Sequence, residues 1–117
     1  MKILAMDDMK PLLNMLTDTL RAGCAEDDEV VPFQSGREFR KYQDKGGFDV
    51  AFLDYEMGMM TGIDFFNELK EYSPGCRFVI VTGDDKHEEE AYRAGAIGFV
   101  LKPYSEEEIR AELKKLY

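Results

Sequence analysis

Five short apolar runs limit what this chain can fold into. They are Lys2–Met6, Glu29–Phe33, and residues 48–53, 77–81 and 96–101, each five or six residues long and each followed by a stretch with helical spacing. The runs are almost continuously apolar instead of alternating with polar residues, so both of their faces are expected to be buried. Strands of that kind, joined by helical crossovers, build a parallel sheet with helices on both sides, an α/β fold. Pro32 lies in the second run, and because proline has no N–H to donate to a ladder, this run is expected at a sheet edge.

The intervening segments carry their own signals. Pro11 suits a first helical turn, and Leu12, Leu13, Leu16 and Leu20 share a face before Gly23 ends the helix. Ser35 and Glu38 have capping-box spacing and predict a short helix with Phe39 and Tyr42 facing inward, ending near Gly46-Gly47. Gly62 opens a third helix with Ile63, Phe66 and Leu69 as its apolar stripe. The segment 84–94 is helical but poorly amphipathic, with only Ala91 and Ala94 to bury and an acidic run along it. A helix so weakly anchored is expected at the low-stability end of the molecule. Ser105 and Glu108 form a second capping box, and Ile109, Leu113 and Leu116 give the last helix its stripe.

Charge and composition exclude several functions. At 117 residues the chain is long enough for one core, and a single domain spanning 1–117 is expected. A net charge of −9 argues against binding nucleic acid, whose phosphates call for clustered Lys and Arg. No apolar stretch is long enough to span a membrane and no signal peptide is evident. Cys24 and Cys76 lack metal-ligand spacing and read as a reduced pair, which fits a cytoplasmic location. His87 is the only histidine, so a histidine-based triad or zinc centre is implausible.

Four of the runs stop at residues that carry chemistry: Asp7-Asp8, Asp54, Thr82 and Lys102. A lone Asp such as Asp54 is more often a cap or turn residue, but in a parallel sheet these ends share one rim, where ligands bind. Three neighbouring carboxylates would repel one another, and a hard divalent cation with oxygen ligands, Mg2+ above all, relieves that and leaves room for a phosphoryl group. A carboxylate can attack phosphorus to give an aspartyl-phosphate, while Lys102 neutralises charge and the Thr82 hydroxyl bonds a phosphoryl oxygen.

With Asp7-Asp8, Asp54 followed eight residues on by Gly62, Thr82 and Lys102-Pro103 in this order, the chain resembles, over essentially its whole length, the receiver domain of bacterial two-component response regulators. The resemblance implies a flavodoxin-like sheet of order 2-1-3-4-5. It implies that Asp54 is the phosphoacceptor for a histidine kinase or phosphotransfer protein, without enzymatic action on a separate substrate. It further implies Mg2+ (or Mn2+) held by Asp8, Asp54 and the backbone carbonyl of Glu56, with Asp7 acting through water. Thr82 and Lys102 would bind the phosphoryl group, Thr82 and Phe99 would act as the switch, and the Lys102–Pro103 peptide would be cis. Signal output would pass through the fourth helix, the last strand and the last helix, with a homodimer on phosphorylation one form it could take. Phe99 reads equally well as a core aromatic.

Some positions depart from the family pattern. Met9 follows the Asp pair, Gly58 stands where a proline is usual, and Glu56 and Asp84 make the phosphoryl pocket unusually acidic. The stretch 54–57 looks more like LytTR-type regulators. Two other readings remain: a degenerate receiver serving as a constitutive interaction module, and a phosphatase of the haloacid dehalogenase type. The second needs Asp-x-Asp where this chain has Asp7-Asp8-Met9, and it usually carries a cap domain that 117 residues cannot hold.

Overall fold

A computed structural model describes all residues from Met1 to Tyr117. In chain order the elements are β1 (Lys2–Met6), α1 (Lys10–Gly23), β2 (Glu29–Phe33), α2 (Gly36–Lys41), β3 (Val50–Leu53), β4 (Glu56–Met57), β5 (Met60–Thr61), α3 (Gly62–Tyr72), β6 (Arg77–Thr82), α4 (Glu88–Arg93), β7 (Gly98–Leu101) and α5 (Glu106–Lys114). A single 3-10 turn, Asp85–His87, leads into α4. The main sheet is parallel throughout, in the order β2-β1-β3-β6-β7. This is the expected 2-1-3-4-5 arrangement, because β4 and β5 form a separate antiparallel hairpin between β3 and α3. Pro32 lies in the edge strand β2, as its missing N–H requires.

Strand side chains alternate between the two faces and so divide the core in two. Leu4, Met6, Ala51, Leu53, Phe78 and Ile80 meet Phe39 of α2, Phe65 and Leu69 of α3 and Ala91 of α4. On the other face Ile3, Ala5, Phe52, Val79 and Val81 meet Leu13, Leu16 and Leu20 of α1 and Ile109 and Leu113 of α5. No helix is long and apolar enough to cross a membrane.

Local boundaries differ from the sequence reading in physically instructive ways. α2 stops at Lys41, well before Gly46-Gly47, because Tyr42 turns extended and stacks edge-on against Phe33. Ser35 caps α2 by accepting the Glu38 N–H, but the Glu38 carboxylate takes the N–H of Gln34, so only half of the expected capping box forms. In α3 the deepest residues are Phe65 and Leu69, spaced i, i+4, while Ile63 and Phe66 flank the core only partly buried. Residues 48 and 49 precede β3 instead of belonging to it, and β7 begins at Gly98 rather than Ala96. Within α4 only Ala91 is buried; Ala94 is exposed at the helix end.

Candidate functional site

The site forms where β1, β3, β6 and β7 run out at the same rim. Ladder bonds continue one step past the strands: the Asp7 N–H donates to the Phe33 carbonyl (3.3 Å), Asp54 N–H to Met6 (3.0 Å) and Lys102 N–H to Thr82 (2.8 Å). The backbone of each residue is thereby fixed by its neighbouring strand. Gly62 sets the loop on the far side. A Cβ there would lie 2.4 Å from the Asp54 carbonyl oxygen, so only glycine lets α3 start this close to the third strand's end. Thr61 and Asp64 complete a capping box at that helix start, a Thr-x-x-Asp signal that the sequence itself carries.

Asp7, Asp8 and Asp54 converge, each offering a carboxylate oxygen within 4.8 Å of the others. Asp7 is buried; its Oδ1 accepts the Met9 N–H (2.9 Å) and its Oδ2 receives the Lys102 ammonium (2.7 Å). Met9, not an Asp, holds the cap position of α1 and makes no side-chain cap. Lys102 also stands 3.4 Å from Asp54 Oδ1, so one ammonium bridges two carboxylates reached from three strands. Burial pushes the Asp54 carboxyl up to about 6; Asp7 and Asp8 push the same way and Lys102 opposes them. Thr82 is buried at the end of β6, its hydroxyl oxygen 3.4 Å from the Asp84 N–H. The Lys102–Pro103 peptide is cis.

An open cleft of about 630 Å³ lies over these groups, lined by Asp8, Asp54, Thr82 and Lys102 together with Glu56 and Asp84. Three hard carboxylate oxygens at one rim, with room for further ligands above them, fit a hard divalent cation of the Mg2+ kind. Phe99 lies apart from this cleft. It sits on β7 opposite Ile80, half-buried, packed against the core that α2, α3 and α4 cover.

A second cluster escaped the sequence reading. Tyr55, directly after Asp54, stacks on His87 with ring centroids 3.6 Å apart and planes 11° off parallel. Its hydroxyl donates to Glu90 Oε1 at 2.7 Å, and that bond pushes the Tyr55 phenol up to about 12. Tyr55 lies more than thirty positions from both His87 and Glu90, and nothing in local periodicity links it to them.

Comparison with known proteins places this rim in a family. The response regulator receiver domain model matches residues 3–114. The chain is 30% identical to the alginate biosynthesis transcriptional regulatory protein AlgB of Pseudomonas aeruginosa, covering 97% of this chain but 25% of that protein. It is 28% identical to the chemotaxis protein CheY of the same species, covering all of this chain and 96% of CheY. Its fold superposes on the BeF3-activated receiver domain of DrrB from Thermotoga maritima with a TM-score of 0.81 at 27% identity, covering 98% of this chain and 95% of that one. With sheet order, rim and family match in agreement, this chain belongs to the response regulator receiver domains of two-component systems.

Proposed function

We propose that residues 1–117 are a single, cytoplasmic receiver domain that takes a phosphoryl group onto Asp54 from the phosphohistidine of a histidine kinase or phosphotransfer protein. An Asp54 carboxylate oxygen attacks phosphorus, the P–N bond breaks, and the imidazole nitrogen leaves with the electron pair, giving an acyl phosphate. Asp8, Asp54 and the Glu56 carbonyl would hold Mg2+ (or Mn2+), with Asp7 acting through water. When bound, that ion supplies charge neutralisation for the transferring group. Lys102, now shared between Asp7 and Asp54, is within reach of the new phosphoryl oxygens. Thr82 offers its hydroxyl to the same group, and Phe99 follows it as the switch aromatic. The domain acts only on itself: it is loaded, read by α4, β7 and α5, and unloaded. Homodimerisation through α4 and α5 is one output this permits.

The observation that carries this reading is Lys102 bridging Asp7 and Asp54 at the mouth of the cleft. An ammonium at that place neutralises the carboxylates before the reaction and the phosphoryl group after it. Intact mass after incubation with a small acyl phosphate tests the reading. One phosphoryl adduct is expected, dependent on Mg2+ and absent in Asp54→Asn. No adduct in the wild type, under conditions that load a known receiver, would leave an interaction module instead.

A further inference from the structure

α4 is lightly anchored for an element that would carry a signal. It is six residues long, Ala91 alone is buried, and its outer face carries Glu88 and Glu89 in solvent. Besides its packing against β7, it is attached through the Tyr55 cluster. Tyr55 is itself part of the core beneath α2, α3 and α4, and only 8% exposed. Its ring lies flat against His87, which belongs to the turn that starts α4, and its hydroxyl reaches Glu90 one turn further along. The His87 ring is largely enclosed, and Glu56 and Glu90 flank it at 3.8 and 3.7 Å. Tyr55 is also tied to the phosphoacceptor, being the next residue in the chain, and its carbonyl accepts the Gly62 N–H (2.8 Å) that anchors the loop. One side chain thus touches both the turn that opens α4 and α4 itself, while its backbone borders Asp54.

We propose that Tyr55, His87 and Glu90 form a latch that holds α4 against the phosphoacceptor loop, so that loading Asp54 and closing this latch oppose each other. The proposal rests on the receiver reading and assigns it a coupling element outside Thr82 and Phe99. Coupling between two sites is reciprocal: whatever loosens the latch must favour the loaded state by the same factor.

The test uses His87→Ala, which removes the stacked ring and leaves Asp7, Asp8, Asp54, Thr82 and Lys102 untouched. Glu90→Ala serves as a second variant, because its side chain is 55% exposed and its loss cannot unfold the core. Two quantities are measured on each: amide exchange across residues 85–94 in the unmodified protein, and affinity for beryllofluoride with Mg2+ present. Exchange is expected to rise about two- to tenfold in His87→Ala, the span of a stacked aromatic pair, with beryllofluoride binding tighter by a similar factor. Glu90→Ala should move both quantities in the same direction by less. Unchanged exchange would overturn the latch, as would faster exchange with unchanged or weaker beryllofluoride binding. If neither wild type nor variant binds beryllofluoride, the receiver reading is what fails. The exchange comparison then still decides whether the cluster anchors α4, and equal rates there overturn it too.

Discussion

At the scale of single residues, Asp54 is the most consequential group, because its carboxyl is held near 6 against an ordinary value of 3.8. A folded-state value above the unfolded one means that the native protein binds the extra proton. Stability from this group is therefore complete below about pH 3.8 and is lost as pH rises through 6. Asp54→Asn should raise the melting temperature at neutral pH without divalent ions, by the equivalent of at most about 3 kcal/mol, and the gain should vanish toward pH 4. A melting series from pH 4 to 8 checks this; a gain that grew on acidification would contradict the assignment. Mg2+ bound at the same carboxylates favours their charged form, so acyl phosphate loading in saturating Mg2+ should persist to lower pH than the metal-free Asp54 titration alone would allow. Gly62→Ala should cost about 1–3 kcal/mol in denaturant unfolding, since the new Cβ meets a backbone oxygen that cannot yield cheaply. Loading of Asp54 should suffer with it. The sequence displayed the residues at the four strand ends because polar groups interrupting apolar runs are conspicuous. It concealed why Gly62 must be glycine, since that depends on how close α3 comes to the end of β3.

At the scale of elements, the capping boxes of α3 and α5 are separable contributions. Thr61→Ala removes one partner at the start of α3 and should cost about 1 kcal/mol, read as a shift in urea midpoint with unchanged slope. The five strands of the main sheet were legible from their apolar runs, and their shared rim followed from parallel topology. What the sequence hid is instructive. Sequence spacing predicts Ile63, Phe66 and Leu69 as the stripe of α3, yet Phe65 is the buried aromatic, because adjacent Phe65 and Phe66 offer two phases and tertiary packing chooses between them. The β4–β5 hairpin has no strand pattern, being two residues a side, and arises from the Gly58 turn with its positive φ. α4 was legible as poorly anchored, but its attachment to Tyr55 is a contact between distant positions that no window of sequence contains.

At the scale of the whole molecule, a net charge of −9 makes the folded state repel itself. Added monovalent salt should therefore raise the melting temperature by a few degrees through screening. Mg2+ at millimolar level should add more than salt of equal ionic strength, and Asp8→Asn together with Asp54→Asn should remove the excess. Both arms can be read in one set of thermal scans; an Mg2+ effect no larger than the salt effect would argue against a built cation site. All the chemistry, meanwhile, hangs from four strand ends on one rim, while the sheet behind it asks only for apolar bulk. A chain built this way can drift far without losing its fold: the DrrB receiver differs at roughly three positions in four and keeps the same architecture. The helix surfaces away from the rim are then open ground, where lineages can diverge in whom they answer to while the reacting groups stay put.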